Sequence, residues 1–219
     1  MKTKPQNPSN KIPPNAQKAY KLLALQENIS NNEAKSLIDR GLVSIQGKKL
    51  KIARALLSPH TKFNIQKIPE IKILFQDDNI LALSKPAFLT SEEIAKLYPN
   101  WALLHRLDKE TSGILLLIKE NSPFHLKAKE AFKKEQDFKQ YIAIVEGIIE
   151  EEQEITAPLI IQKGNFAKVL VSKKEGIRAY TKITPIEIIG KKTKLEIIIK
   201  TGKTHQIRAH LAHIKHPII

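Results

Sequence analysis

The spacing of apolar positions along the chain predicts short helices and strands, with strands in the majority. Apolar side chains recur at helical spacing from Ala16 through Leu22 and Leu23, and again from Ala34 to Ile38. Further helices are predicted at residues 91–97 and 123–135, and strands at residues 71–75, 80–84, 113–118, 139–145, 167–171, 179–189 and 194–200. Because the helices interrupt the strands without a βαβ rhythm, the sequence predicts an α+β fold with a mixed or antiparallel sheet.

The first 50 residues carry clear local signals for two helices and a hairpin. Ser30 and Glu33 have the spacing of a capping box, in which the hydroxyl accepts a bond from a free amide and the carboxylate reaches back. Gly41 is placed to end that helix in a left-handed conformation. A short hairpin then turns at Gln46 and Gly47.

Charge is unevenly distributed along the chain. The formal net charge is +15, and residues 1–70 hold 13 basic and 4 acidic side chains against 24 and 18 in residues 71–219. Such a basic excess favours a polyanionic partner, most simply nucleic acid. The plain alternative is a lysine-rich surface with no such partner. The asymmetry indicates a basic accessory module in front of a larger domain.

Composition excludes several other classes of protein. The chain has no cysteine, so a disulfide framework, a zinc–thiolate site and a thiol nucleophile are excluded. Residues 1–15 are polar and rich in proline, which predicts a disordered arm and not a signal peptide. No apolar run approaches the length of a membrane span. We therefore expect a cytoplasmic protein that does not bind membranes.

Two polar clusters follow or precede predicted strands and are candidates for chemistry. Residues 105–113 crowd His, Arg, Asp, Thr and Ser at the mouth of a buried strand, where polar groups are costly to desolvate unless they pair. Residues 201–211 follow another strand, and Gly202 is expected to allow a sharp turn into a helix. On that helix His205 and Arg208 are predicted to share a face.

These clusters resemble the signatures of the RluA-type pseudouridine synthases. Residues 105–116 read His-Arg-Leu-Asp-Lys-Glu-Thr-Ser-Gly-Ile-Leu-Leu, and residues 201–211 match the second signature with Lys203 where arginine is usual. Residues 139–147 follow the pattern Lys-x-Tyr-x-Ala-x-Val-x-Gly. The hairpin of residues 77–86 resembles the family's opening hairpin, although Phe88 replaces a usual glycine.

The resemblance implies a reaction and a set of roles. The family breaks the glycosidic bond of a uridine and rejoins the ribose to carbon 5 of the base, without a metal or other cofactor. Asp108 is implied as the essential carboxylate, Arg208 as the guanidinium that stabilises its charge, and Tyr141 as the ring on the flipped base. Arg106 is implied to displace the nucleotide. The remaining candidates for RNA contact near these motifs are His105, Lys203, Thr204 and His205.

The N-terminal module resembles the S-four-like RNA-binding domain, on the stretch of residues 30–48. We predict a domain at residues 16–66, a linker near residues 66–70 and a catalytic domain at residues 71–219. Synthases with such a module act mainly on ribosomal RNA of the large subunit, which is therefore the expected substrate. The predicted phosphate contacts of the module are Lys35, Arg40, Lys48 and Lys49.

Two alternatives remain open at this level. The first alternative is a catalytically weak RNA-binding or ribosome-assembly factor, because the chain ends at Ile219, before the closing segment of the family. A synthase directed at tRNA is the other. The histidines near the C-terminus lack a carboxylate partner, so no metal site is predicted. We expect a monomer.

Overall fold

The computed structural model describes residues 15–135, 138–162, 168–172 and 174–219 of the 219-residue chain. The chain forms two compact units, residues 1–120 and residues 121–219. The predicted arm of residues 1–15 lies outside the described residues except for Asn15. Among the described residues, no helix is both long enough and apolar enough to cross a bilayer.

The N-terminal part of the first unit forms two helices and short strands, as the local signals predict. Ser30 Oγ accepts a hydrogen bond from Glu33 N at 3.1 Å, which starts the second helix. Gly41, with φ +77°, ends it, and the amide of Leu42 bonds back to Leu37 O at 3.1 Å. The elements are β1 (Gln17–Lys18), α1 (Ala19–Glu27), α2 (Asn31–Asp39), β2 (Val43–Ile45), β3 (Lys48–Lys49), β4 (Leu56–Leu57) and β5 (Asn64–Ile65).

One apolar core holds this part together. The apolar face of α1 packs there with Ala34 and Ile38 of α2, Val43 of β2 and Phe63. The strands pair in the order β3-β2-β5, and β1 pairs with β4. The helices and strands of residues 16–66 therefore share a core of their own.

The rest of the first unit is a four-stranded antiparallel sheet with one short helix. Asp77 Oδ1 accepts bonds from the amides of Asn79 and Ile80 at 2.8 and 2.6 Å, which closes the predicted hairpin. The elements are β6 (Lys72–Gln76), β7 (Ile80–Lys85), α3 (Ser91–Ala95), β8 (Trp101–Leu103) and β9 (Gly113–Lys119). The strand order in this sheet is β6-β7-β9-β8.

A second apolar core lies under this sheet. Leu81 and Leu83 of β7, Leu115 and Leu117 of β9, and Ile94 of α3 are almost fully buried in it. Because side chains alternate along a strand, these residues line one face of the sheet. The core fixes α3 against the strands that flank the first polar cluster.

The second unit contains a larger antiparallel sheet and two helices. The elements are α4 (Pro123–Lys133), β10 (Lys139–Glu146), β11 (Gln153–Ile155), β12 (Leu159–Gln162), β13 (Lys168–Val171), β14 (Thr181–Ile189), β15 (Lys192–Ile199) and α5 (Gln206–His213). The main sheet has the order β10-β15-β14-β11, and β12 pairs with β13. A third core joins Val145, Ile183, Leu195 and Ile197 of the sheet to Leu211 of α5.

The last residues of the chain pair with the outer side of β10. Glu146 N donates to Pro217 O at 3.0 Å, and Ile219 N donates to Ile144 O at 3.1 Å. Gly147 follows β10 with φ +84°, and a Cβ at this position would lie 2.7 Å from His216 Nδ1. Both the backbone conformation and the close ring therefore require glycine here.

The predicted α+β class with antiparallel pairing is confirmed, and each predicted helix and strand after residue 70 has a counterpart within a few residues. Six short strands, β1, β4, β5, β8, β11 and β12, have no counterpart in the sequence prediction. The predicted boundary near residues 66–70 differs from the division at residue 120 and stays a prediction.

Candidate active site

The loop that carries Asp108, residues 104–112, joins β8 to β9 in the first unit. Leu104 N donates to Leu116 O at 3.0 Å, and Leu116 N donates to His105 Nε2 at 3.2 Å. These bonds fix the start of the loop to β9. His105 therefore orders the loop through its ring, and its Nδ1 carries the proton in the neutral form, because Nε2 acts as an acceptor.

The residue before Asp108 is held by the first residue of α3. Ser91 is fully buried, and its Oγ accepts a bond from Leu107 N at 3.0 Å and donates one to Leu107 O at 3.1 Å. Thr90 caps α3 in a reciprocal capping box with Glu93. The position of Leu107 is thereby set by a helix whose own start is fixed.

The residues after Asp108 are held by a buried lysine of β7. Lys85 is fully buried, and its Nζ donates to Thr111 O at 2.7 Å, Pro86 O at 3.0 Å and Lys109 O at 3.3 Å. Three donors thus meet three carbonyl acceptors, which is the full capacity of an ammonium group. The backbone bond from Thr111 N to Asp108 O, 3.0 Å long, closes a turn between them.

The charge of Lys85 interacts with the charge of Asp108 in the loop. Burial lowers the pKa of Lys85 from its ordinary value, and the negative charges of Asp108 and Glu93 act in the opposite direction. The loop therefore presents a half-buried carboxylate, Asp108, beside a positive charge.

Arg106 lies on the exposed side of the same loop. Its Nη1 lies 3.1 Å from Glu92 Oε1, with side chains 66% and 52% exposed. The pKa of Glu92 is lowered, first by a hydrogen bond from its own backbone and then by the bond from Arg106. An ion pair this exposed is weak, so the guanidinium can leave Glu92 for another anion at small cost.

The four candidates of the N-terminal module have different surroundings. Lys35 Nζ lies over the Tyr20 ring at 4.5 Å, and Lys48 is exposed on β3. Arg40 forms an ion pair with Glu93 at 2.8 Å. The structure places the fourth, Lys49, 3.8 Å from Glu110 Oε1 and 5.1 Å from the centre of the Phe88 ring.

In the second unit, a buried glutamine organises the turn before α5. Gln206 Oε1 accepts bonds from Thr201 Oγ1 at 2.8 Å and Lys203 N at 3.1 Å. Its Nε2 donates to Tyr180 O at 2.9 Å and Thr181 Oγ1 at 3.0 Å. Every polar atom of this buried side chain is satisfied, which fixes the start of α5 against β14.

One expectation for this turn was wrong. His205 lies before α5 as its N-cap, with φ +49°, so it does not share a helical face with Arg208. His205 is the residue of this turn with a left-handed backbone. Histidine adopts the left-handed φ/ψ region more readily than most residues. The spacing of residues at a helix start therefore did not reveal the left-handed backbone of His205.

His210 extends the same network into the core. It is fully buried, with Nδ1 2.9 Å from Thr181 Oγ1 and Nε2 2.9 Å from Ala157 O. A carbonyl only accepts, so Nε2 carries the proton and Nδ1 accepts from the threonine hydroxyl. Burial lowers the pKa of His210, although the bond to Ala157 O acts in the opposite direction. The neutral imidazole completes the network.

The other predicted residues of the second unit lie around one end of its main sheet. Tyr141 is half-buried on β10, pairs with Ile197 of β15 and packs against the third core, as does Ile207 of α5. Arg208 is half-buried on the first turn of α5. Lys203 Nζ lies 3.1 Å from Glu135 Oε1, and Thr204 is exposed beside it.

The sequence pattern missed Ser91, Thr181 and Gln206 as site residues and treated Lys85 only as the end of a strand. For Lys85 a signal existed, because a charged residue ends β7 two positions after its apolar run Ile80-Leu81-Ala82-Leu83. Among the described residues, no group of His, Asp and Glu is arranged to hold a metal ion.

Comparison with known proteins gives one consistent family. The family described as RNA pseudouridylate synthase matches residues 77–213. An uncharacterized RNA pseudouridine synthase of Helicobacter pylori is 59% identical over 203 residues, which cover 93% of this chain and 84% of the relative. Ribosomal large subunit pseudouridine synthase C of Buchnera aphidicola is 32% identical over 210 residues, covering 78% of this chain and 67% of the relative.

Solved structures agree at the level of the fold. The human RNA pseudouridylate synthase domain containing 1 superposes with a TM-score of 0.61 at 22% identity, covering 68% of this chain and 67% of the human one. The match of residues 77–213 includes the loop of Asp108, Tyr141 and the turn before α5. The chain therefore belongs to the RNA pseudouridine synthases, enzymes that isomerise uridine in RNA.

Proposed function

We propose that this RNA pseudouridine synthase acts on ribosomal RNA of the large subunit and that Asp108 is its essential carboxylate. The observation that carries the proposal is the double anchoring of the Asp108 loop. Ser91 holds Leu107 on one side, and Lys85 holds Lys109 and Thr111 on the other. Such anchoring suits a reacting group that must keep its position against a flipped nucleotide.

The charge around Asp108 supports its role. A carboxylate that attacks or deprotonates the ribose must be ionised at neutral pH, and burial alone would oppose ionisation. The nearby positive charge is the buried ammonium of Lys85, and the charge of Asp108 acts against the effect of burial on the pKa of Lys85. Asp108 is thus a half-buried carboxylate beside a positive charge of its own unit.

For Tyr141 and Arg208 we propose the roles that the family resemblance implies. Tyr141 has a phenol ring packed partly against the core and partly exposed, which suits stacking on a base with a polar tip near carbon 5. Arg208 sits on the first turn of a helix fixed by Gln206, and it supplies a permanent positive charge to the reaction.

Arg106 is proposed to help displace the target nucleotide. Its exposed pairing with Glu92 costs little to break, so a phosphate or base can replace the carboxylate. Flipping costs a few kcal/mol, and less when the uridine lies in a loop of the RNA. Lys203, Thr204 and His205 form a second set of polar groups that we propose for RNA contact.

The assignment to large-subunit RNA rests on the names of relatives and on the basic N-terminal module. The relative from Buchnera aphidicola is named as a large-subunit synthase. The module holds helices and a hairpin in the order of an S-four-like domain, and we propose that it binds RNA. Exposed Lys48 on its hairpin is a suitable phosphate contact.

Release of tritium from carbon-5-labelled uridine tests the chemistry directly, because isomerisation expels that hydrogen. Unmodified large-subunit rRNA and tRNA transcripts are the two substrates, and Asp108→Asn is the matched variant. We expect release from the rRNA with the wild-type chain, none with Asp108→Asn, and RNA affinity of the variant within a few-fold.

Each other outcome has a defined meaning. Full release by Asp108→Asn would overturn the role of Asp108. Release from tRNA alone would move the substrate to tRNA. RNA binding without release from either substrate would favour an RNA-binding factor that has lost activity.

A further inference from the structure

We infer that the N-terminal module, residues 16–66, positions the Asp108 loop, with Arg40 as the principal positioning residue. The sequence pattern assigned Arg40 and Lys49 to RNA phosphates. In the structure both side chains contact acidic or aromatic groups that lie in the loop or next to it. The inference rests on the proposed role of Asp108.

The first link runs from Arg40 through α3 to the loop. Arg40 Nη2 lies 2.8 Å from Glu93 Oε1, while Glu93 Oε2 accepts a bond from Thr90 N at 2.7 Å. One carboxylate therefore joins the end of α2 to the start of α3. Ser91, the first residue of α3, binds both backbone groups of Leu107. Arg40 thus acts on the residue before Asp108 through a helix.

The ion pair between Arg40 and Glu93 is suited to such a link. The two side chains are only 33% and 38% exposed, so solvent screens them less than an ordinary surface pair. The pKa of Glu93 is lowered, first by the bond from Thr90 N and further by the charge of Arg40. Glu93 is therefore ionised throughout the neutral range.

The second link reaches the residue after Asp108 directly. Lys109 Nζ donates to Asp39 O at 3.3 Å, across 70 positions of sequence. Asp39 is the last residue of α2, where the carbonyl groups carry the negative end of the helix dipole. A lysine at this place satisfies a carbonyl that the helix leaves open.

The third link explains the unusual residue at position 88. Phe88 has φ +72°, a conformation that a bulky side chain rarely adopts, and its amide donates to Lys109 O at 2.7 Å. Its ring contacts Lys49 Nζ at 5.1 Å, and the same ammonium lies 3.8 Å from Glu110 Oε1. A glycine would relieve the backbone but would lose this contact with the module.

A positioning role and a phosphate-binding role predict different kinetics. A phosphate contact contributes to RNA affinity and to its salt dependence, so its loss raises Kd and leaves the rate at saturation unchanged. A positioning contact contributes to the geometry of the reacting group, so its loss lowers the rate at saturation. The single-turnover rate at saturating rRNA, together with Kd, separates the two.

The test compares Arg40→Ala, Glu93→Gln and the double variant with the wild-type chain. Glutamine keeps an acceptor for Thr90 N but removes the charge that Arg40 meets. We expect each single variant to lower the single-turnover rate about tenfold with Kd within about twofold, and the double variant to be no slower than the slower single one. Arg40→Lys should restore part of the rate.

Lys51→Ala is the matched control, because Lys51 is an exposed lysine of the same module. It should leave the single-turnover rate unchanged. Amide hydrogen exchange gives a second readout that needs no activity: the amides of Leu107 and Thr111 should exchange faster in Arg40→Ala, while the amide of Ile197 in the second unit keeps its protection.

The proposal is overturned if Arg40→Ala weakens RNA binding and leaves the rate at saturation intact, or if it changes neither quantity. Multiplicative effects in the double variant would also overturn the link through Glu93. Should Arg40→Ala unfold the first unit, Arg40→Lys and Glu93→Gln decide the question. If Asp108→Asn proves active, the role of Asp108 fails separately, and hydrogen exchange still tests the link.

Discussion

Ser91 Oγ bonds to both the amide and the carbonyl of Leu107, at 3.0 and 3.1 Å, so one buried hydroxyl fixes the residue that precedes Asp108. The serine is the first residue of α3, and its own backbone is set by the capping box at Thr90. The Asp108 loop therefore takes its position from a helix terminus, which is more rigid than a free loop.

Replacing Ser91 with alanine removes both bonds at once. We expect the free energy of unfolding to fall by about 1–3 kcal/mol, because two backbone groups of Leu107 lose their partner. Activity should fall about tenfold at saturating RNA, since Asp108 is held less firmly. Chemical denaturation and tritium release measure the two effects. Ser84→Ala, at a half-buried serine of β7, is the control and should change neither by much.

Lys85 holds the other side of the Asp108 loop. Lys85→Met tests this role, because methionine has a side chain of similar length but no ammonium group. Two effects compete: methionine removes the cost of burying a charge, but it leaves the carbonyls of Pro86, Lys109 and Thr111 without their donor. Each lost partner costs about 1–3 kcal/mol, so we expect a net loss of stability and of activity.

Lys72→Met, at an exposed lysine of β6, controls for the loss of a positive charge. A thermal unfolding scan and the tritium assay on both variants give the comparison. A Lys85→Met variant that is more stable than the wild-type chain and fully active would show that desolvation dominates and that the lysine does not hold the loop.

Local signals in the sequence were sufficient for the elements and insufficient for the site. Ser30 and Gly41 lie within 12 residues of one another and mark the two ends of α2, so the prediction of that helix is confirmed. Of its predicted capping box only the bond from Glu33 N to Ser30 Oγ forms, and the Glu33 carboxylate does not reach back. Asp77 likewise closes its hairpin through amides two and three positions away. Such contacts lie within the range over which sequence patterns carry information.

The contacts that build the site join distant positions. Lys85 reaches carbonyls 24 and 26 residues away, and Arg40 meets Glu93 across 53 residues. No periodicity or spacing rule connects such pairs, so Arg40 was interpreted as a phosphate contact. His205 shows a different limit, because its left-handed backbone depends on the turn that Gln206 organises.

Substitution of Gly147 should be destabilising for two reasons, a positive φ and a close side chain. A second glycine, Gly190, has a positive φ without a close side chain among the described residues, so comparing the two positions separates the two effects. In Gly147→Ala the positive φ of +84° costs about 1–2 kcal/mol, and the new Cβ lies 2.7 Å from the His216 ring. Gly190 has φ +60°, and a Cβ added there would meet no atom of the described residues within 4 Å. Gly190→Ala therefore carries the backbone cost alone.

We expect Gly147→Ala to be the more destabilising by at least about 1 kcal/mol, because His216 must move and its bond to Glu146 O at 2.8 Å is lost. Urea denaturation of the two variants measures the difference. Equal losses would mean that the ring of His216 adjusts freely and that the C-terminal pairing with β10 is not tied to this glycine.

The buried imidazole of His210 predicts a loss of stability in mild acid. Its pKa is lowered in the folded chain, so below its ordinary value of 6.5 the unfolded chain binds more protons than the folded one. Its contribution to stability is complete above about pH 6.5 and declines as the pH falls from there through the lowered pKa.

One proton corresponds to about 1.4 kcal/mol for each pH unit, so between pH 6.5 and 5.5 the free energy of unfolding of the wild-type chain should fall by up to about that much. His210→Gln removes this titration, and its stability, although lower at pH 7.5, should depend less on pH over this interval; His60→Gln, at an exposed histidine of the N-terminal module, should keep the wild-type slope. Unfolding midpoints at half-unit pH steps give the three slopes, and identical slopes for all three proteins would assign the acid sensitivity to other groups.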